Sequence, residues 1–311
     1  MNTYTMGETY RKNTINVAAE MIPQNAAFKS FPGEKHFFEE REGKVSFYQV
    51  TSALESGFLT ELDKNIICLI ATFGSACVTS KMLKEMLIMM DVKFSDNMFE
   101  SSIKRLRRFH LINFSHFAID GREPAKMRII TLANYGSQLA KSLGIVHRFN
   151  AIATASAEAY AVKSRAQTAQ LISNYLKNRV ADSFSVRPVI VVNPDVGAII
   201  RPAATITIQG EQLFFEVPRR RDGWLEDLED KLNRYLLVFE GKTLPTVVIN
   251  GEDEAMNREV AEMIRARGFE FELLYTDDLA MFGPKFQYSL YGFAEDGTKL
   301  CYSMNIAGAA A

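Results

Sequence analysis

The chain has 311 residues, 47% of them hydrophobic and 23% charged, which is ample for two domains with separate cores and ordinary for a globular protein. Its three cysteines (Cys68, Cys77, Cys301) and four scattered histidines (His36, His110, His116, His147) form no metal-ligand spacing and no disulfide framework, which suits a reducing compartment. The net charge of -1 hides an asymmetry: residues 58–142 carry 12 Lys+Arg against 8 Asp+Glu, whereas residues 183–311 carry 13 against 20. A neutral total therefore does not exclude nucleic acid, because the basic footprint sits on one module.

The N-terminus lacks a basic region followed by an apolar run, so no secretory signal is expected. The most apolar segment, Ile66 to Phe73, is too short to span a bilayer, and a cytoplasmic location without membrane contact is expected. Residues 1–57 read as a partly flexible arm. FPGEKHFFEEREGK (31–44) reads as turn plus charged loop, and KVSFYQV (44–50) as a short strand.

A first domain is expected over 58–147. TELDKNIICLIATFG (60–74) reads as a helix with Thr60 as N-cap, Asp63 three residues later and Gly74 at its stop. TSKMLKEMLIMMDV (79–92) reads as a second helix capped by Ser80. Its methionines (Met82, Met86, Met89, Met90) are read as core filling rather than as a soft binding surface.

The most informative stretch is SDNMFESSIKRLRRFHLI (95–112). Phe99, Ile103 and Leu106 recur at i, i+4 and i+7, one face of a helix, and the other face carries Lys104, Arg105 and Arg108 beside Asn97 and Ser101. INFSHFAID and AKMRIITLA follow as two strands around GREP, whose Gly121 and Pro124 mark the turn. Arg122, Lys126 and Arg128 make this hairpin basic. Three helices, the third basic, followed by a basic hairpin are the signature of a winged helix-turn-helix. Its third helix is built to lie in the DNA major groove. In that reading Asn97, Ser101 and Lys104 or Arg105 approach bases, Arg108, Lys126 and Arg128 hold phosphates, and Arg122 also contacts DNA. Asp96 and Glu100 on the same helix would repel phosphate. A basic helix face is also compatible with a solvated surface or a protein contact.

NYGSQLAKSLG (134–144) reads as a short closing helix. Residues 148–182, Ala-rich and without Pro or Gly, read as one long connecting helix, open between a rigid connector, the first helix of the second domain and a dimerisation element. A second, α/β domain is expected over 183–306, with 307–311 as a tail. Its strands are PVIVV (188–192), ATITIQ paired with QLFFEVP, PTVVIN and FEFELLY, with a closing hairpin of KFQYSLYGF and TKLCYSMNI. Its helices are DGWLEDLEDKLNRYLLVF (222–239) and EDEAMNREVAEMIRARG (252–268), the latter stopped by Gly268. The run PRRRDGW is open between a nucleic-acid contact, with Trp224 as a stacking face, and a solvated turn.

This order is compatible with a restriction-endonuclease-like core. The segment RPAATITIQGEQLFFEVPRRRDGWLEDLEDKLNRYLLVF resembles the central part of the replication-relaxation family of plasmid and mobile-element proteins, and the resemblance covers about residues 58–290. It implies a two-domain α+β and α/β chain: a winged helix, then a degenerate PD-(D/E)xK-type domain. Carried over by position, Pro-Asp falls on Pro202-Ala203, and Glu-x-Lys on Glu216-Val217-Pro218. The helical Lys-x-x-x-Tyr is present as Lys231 and Tyr235. Two of three nuclease positions are replaced. Asp195, after Pro194, lies outside the hairpin.

The expectation is a sequence-specific DNA-binding protein of a mobile element: a regulator or a replication or transfer accessory factor, working on double-stranded DNA without cofactor or catalysis, as a homodimer. The alternatives are a Mg²⁺-dependent endonuclease using Glu216, Lys231, Tyr235 and Asp195, and an adaptor that docks a protein on its acidic C-terminal domain.

Overall fold

The structure is a computed structural model that describes residues 10–13, 28–31, 33–39, 44–73, 77–119, 128–145, 147, 157–191, 199–269, 273–283 and 285–304. It is a mixed α+β chain dividing into two compact units, Ser30–Ser173, and Met1–Lys29 with Asn174–Ala311. The boundaries thus fall inside the expected arm and near the end of the expected connecting helix. Among the described residues no helix is long and apolar enough to cross a membrane.

Strand β1 (Tyr10–Asn13) belongs to the sheet of the second unit. The Ser30–Ser173 unit opens with β2 (Glu34–Phe38), where a charged loop was expected. β2 pairs antiparallel with β3 (Ile112–Ile119), Glu34 opposite Ile119 and Phe38 opposite Ser115. Its burial alternates, as a strand with one covered face requires. The Lys163 ammonium meets the Glu34 carboxylate, and both side chains are buried.

The expected strand 44–50 is instead the entry to helix α1 (Phe47–Glu55). The reason is a capping box: Gln49 N–H donates to Ser46 Oγ at 3.3 Å, and Ser46 N–H donates to Gln49 Oε1 at 2.8 Å. Those bonds satisfy helix-terminal donors and outweigh the β propensity of Val, Phe and Tyr.

Helix α2 (Glu61–Thr72) has the expected Thr60–Asp63 capping box and buries Leu62, Ile66, Ile67, Leu69 and Ile70. Gly74 lies outside the described residues. Helix α3 (Ser80–Met89) is capped by Thr79, not Ser80: Met82 N–H donates to the Thr79 hydroxyl at 3.3 Å. Met82 and Met86 are core, but Met89 and Met90 are exposed, so core filling accounts for only half of that run. Helix α4 (Asp96–Arg108) follows. The strands β3 (Ile112–Ile119) and β4 (Ile129–Leu132) then pair antiparallel, giving a three-stranded sheet β2-β3-β4. Val78, between α2 and α3, bridges Ile130 of β4. The Gly121–Pro124 turn lies outside the described residues.

Helix α5 (Asn134–Ser142) packs so closely that a Cβ on Gly136 would stand 1.9 Å from the Leu111 carbonyl oxygen. Helix α6 (Ala159–Lys177) lies within the expected 148–182 helix and stops short of its expected end, and residues 148–156 lie outside the described ones.

The second unit holds one sheet of eight described strands, ordered β1, β11 (Lys299–Met304), β10 (Leu290–Phe293), β9 (Leu273–Asp277), β8 (Val247–Gly251), β7 (Glu211–Glu216), β6 (Ala204–Ile208) and β5 (Ser183–Val186). β5 (Ser183–Val186), which carries no apolar run, was not foreseen. Of the expected strand 188–192, the described residues 188–191 form one bridge, Ile190 to Ile200. β6 (Ala204–Ile208) and β7 (Glu211–Glu216) form the expected hairpin. β8 (Val247–Gly251) lies parallel to β7, and β9 (Leu273–Asp277) parallel to β8, with helices α7 (Trp224–Val238) and α8 (Glu254–Arg267) as crossovers. Gly268 stops α8 with φ +65°, a conformation in which a Cβ would be strained.

A short helix α9 (Asp278–Phe282) follows β9, and Phe286–Tyr288 forms a 3₁₀ turn where strand was expected. The antiparallel pair β10 (Leu290–Phe293) and β11 (Lys299–Met304) closes the fold. Leu228, Leu232, Tyr235 and Val238 of α7 pack with Phe214, Val247, Ile249, Val260 and Tyr275 into the core. Each large side chain so buried contributes about 1.5–3 kcal/mol.

Candidate functional site

Helix α4 is specified locally. The Ser95 hydroxyl accepts from Met98 N–H at 3.2 Å, and Phe99, Ile103 and Leu106 bury the expected stripe. Asn97, Ser101, Lys104 and Arg108 are exposed, and their i, i+4, i+7, i+11 spacing puts them in one row along the opposite face. Asp96 and Glu100 do not leave this face negative: Lys84 Nζ meets Asp96 Oδ1 at 2.8 Å and Glu100 Oε1 at 3.8 Å.

Arg105 departs from the expected row. Its Nε donates to Asp63 Oδ2 at 2.7 Å, and its Nη2 to Thr60 Oγ1 and Ser102 Oγ, each at 3.3 Å. Asp63 is only 1% exposed, so the guanidinium is committed to the α2 capping box and its assignment as a base reader is withdrawn. Arg107, not singled out in the sequence, takes a comparable structural place. Its Nη2 pairs with Glu39 Oε2 at 3.1 Å and its guanidinium lies over Phe114. Arg128 Nε pairs with the other Glu39 oxygen at 2.8 Å yet stays 60% exposed, so it keeps surface for a second anion. Arg122 and Lys126 lie outside the described residues.

The C-terminal end of α4 borders a groove of about 590 Å³ whose opposite wall comes from the start of α1. It is lined by Lys44, Val45, Gln49, Lys104, Arg107, Arg108 and Phe109. Sequence reading missed Lys44 and Gln49, because nothing local in residues 44–49 says which helix they face.

In the second unit Glu216, Lys231 and Tyr235 do converge. Glu216 is 3% exposed at the end of β7. Tyr235 OH donates to its Oε1 at 2.8 Å, and the Lys231 ammonium donates to its Oε2. Burial pushes the Glu216 carboxyl above the usual carboxylate range, with the Lys231 ammonium, the Tyr235 hydroxyl and the Ala203 backbone opposing. Burial and the neighbouring Glu216 raise the Tyr235 phenol, which stays a donor.

These residues do not fit Mg²⁺. The ion wants near-octahedral oxygen coordination with open sites on its carboxylates. Here each Glu216 oxygen already accepts a hydrogen bond, Ala203 offers a methyl and Pro218 no donor atom. Asp195 lies outside the described residues. Among the described residues no group of three or more His, Cys, Asp and Glu is arranged to hold a metal.

PRRRDGW is a turn exposed at Arg221, Asp222 and Gly223, but it is not an open cationic surface. The Arg219 side chain is fully buried, donating to Asp278 Oδ1 at 3.1 Å and to the carbonyls of Pro218 and Asn250. Burial pushes Asp278 up to about 7, with Arg219 opposing. Arg220 meets Glu259 Oε1 at 2.8 Å with Trp224 under its guanidinium, and Arg221 pairs with Asp227. All three arginines are matched by carboxylates, which leaves Trp224 engaged as a cation–π partner.

No protein-family model matches the chain, and no curated protein matches it. Among solved structures the chain is similar to the crystal structure of protein VC1899 from Vibrio cholerae, at a TM-score of 0.27 and 10% sequence identity, over 80% of this chain and 56% of that one. The chain thus spans a little over half the length of that protein, and the likeness is too slight to assign either unit to a family.

Proposed function

We propose that the protein binds double-stranded DNA through α4, laid in the major groove as the third helix of a winged helix-turn-helix. It acts by occupying or marking a site rather than by cutting it. The observation that carries this reading is the row Asn97, Ser101, Lys104 and Arg108. These are exposed side chains of base-reading and phosphate-binding types on one face of a helix whose other face is anchored. The order helix, bridge at Val78, helix, helix, hairpin supports it, because that is the winged-helix order.

In this mechanism Ser95 and the buried stripe hold α4 rigid. Asn97 and Ser101, near its N-terminus, approach base edges, and Lys104 and Arg108 reach bases or backbone further along. The second unit contributes a nuclease-like arrangement whose one buried carboxylate is satisfied internally by Lys231 and Tyr235. That suits a regulator or a replication or transfer accessory factor of a mobile element, without hydrolysis.

The test is a gel shift of the full chain on duplex from around its own gene with Mg²⁺ present, the DNA being rerun after protein removal. A shifted, intact band is expected. Cut DNA would overturn the non-catalytic half of the proposal. No shift at low salt would overturn the DNA half and favour a protein-docking adaptor.

A further inference from the structure

The groove beside α4 is lined by two lysines and two arginines, and among its described lining residues there is no carboxylate. Arg107 is balanced by Glu39. Lys44, Lys104 and Arg108 are exposed and have no carboxylate partner among the described residues. Three uncompensated cations around one concavity repel one another, and the arrangement is favourable when an anion enters.

The wall that brings Lys44 there is held on purpose-built contacts. Tyr135 OH donates to the Val45 carbonyl at 3.2 Å, the Phe47 ring packs on Tyr135 at 5.6 Å, and Ser46 and Gln49 close the capping box. Gln49 uses its Oε1 in that box, which leaves its amide N–H donors to the groove. Lys44 is therefore presented from a fixed backbone opposite Lys104 and Arg108.

We propose that this groove seats a phosphodiester of the bound duplex. Lys44 and Gln49 would hold the backbone from the side opposite α4 and set how far the helix enters the major groove. The inference rests on the DNA-binding reading above and gives residues 44–49 a role in it. The ligand chemistry is a phosphate oxyanion, and the source is the DNA backbone rather than free phosphate. A continuous polyanion offers successive phosphates to Lys44, Lys104 and Arg108, which a single small ion does not.

The test is fluorescence anisotropy of the full chain on a specific and an unrelated duplex across a salt series, for the wild type, Lys44→Ala, Lys44→Glu and Lys104→Ala. Lys44→Ala should weaken both duplexes by about threefold at low salt and flatten the slope of log affinity against log salt by about 0.9, with Lys44→Glu weakening them further. The melting temperature of both Lys44 variants should stay unchanged, since this exposed side chain has no described partner to lose. Unchanged affinity and slope in both, with Lys104→Ala weakened, would overturn the groove assignment and leave the DNA-binding reading standing. No duplex binding by the wild type at low salt would overturn both. Inorganic phosphate that raises the melting temperature through Lys44, while duplex affinity ignores Lys44, would overturn the backbone assignment.

Discussion

Arg105 Nε donates to Asp63 Oδ2 at 2.7 Å, and the same carboxylate oxygen accepts from Thr60 N–H and Thr60 Oγ1. One buried oxygen thus caps α2 and ties α4 to its N-terminus. Arg105→Ala should destabilise the Ser30–Ser173 unit by about 2–4 kcal/mol, because it strands a carboxylate that is 1% exposed. Its DNA affinity per folded molecule should stay near wild type. Thermal melts beside binding titrations check this; a base-specific affinity loss without a stability loss would return Arg105 to the reading face.

Asn97 and Arg108 occupy the same exposed row but should behave differently. Asn97→Ala should cost about 1–3 kcal/mol on the preferred site and little on unrelated duplex, as expected for a bidentate base contact. Arg108→Ala should weaken all sequences alike and reduce the salt slope by about 1. Competition binding with single-base site variants checks both. Equal losses on every sequence from both changes would refute base reading by Asn97.

Lys231 holds one oxygen of buried Glu216 while Tyr235 holds the other. Lys231→Met should destabilise the second unit by about 3–5 kcal/mol, the cost of leaving a buried carboxylate without its counter-charge. A compensating Glu216→Gln should recover part of that loss. Millimolar Mg²⁺ should leave the melting temperature of the wild type unchanged. A magnesium-dependent rise that vanishes in Glu216→Gln would show that the ion displaces Lys231 and would reopen the nuclease reading.

His36 sits between Phe38 and Phe117, with ring centroids at 4.9 and 5.7 Å. Burial holds its pKa at about 4 against 6.5 when free, the nearby His116 and Arg165 acting in the same direction and a backbone bond at Ala157 opposing. The unfolded chain then binds more protons than the folded one between those values. His36 therefore contributes stability that is present above pH 6.5 and is lost as pH falls toward 4. Hydrogen exchange of β2 and β3 amides should show protection falling over that window. His36→Phe should remove this part of the slope, and an unchanged slope would refute the assignment.

Elements whose signals are local can be read from the residues alone. The 3.6-residue stripe of α4 and the Thr60–Asp63 box start and orient their helices whatever surrounds them. The Gly268 stop and the β6–β7 hairpin follow equally from neighbours in the chain. The meeting of Glu216 with Lys231 and Tyr235 was expected only through the family resemblance, whose motif positions these residues occupy; no local signal in the chain brings a strand end to that helix face. Other features depended on partners distant in sequence. Residues 34–38 become a strand because β3 offers an open edge, and β5 pairs with β6 although it has no apolar run of its own. The capping box of Ser46 with Gln49 converts an apparent strand into α1. Which arginines remain available was beyond the sequence as well: Arg105, Arg107 and Arg108 are near neighbours on one helix. Only the tertiary structure sends the first to Asp63 and the second to Glu39, and leaves the third at the groove, because a cation's availability is set by which carboxylate the fold brings within reach.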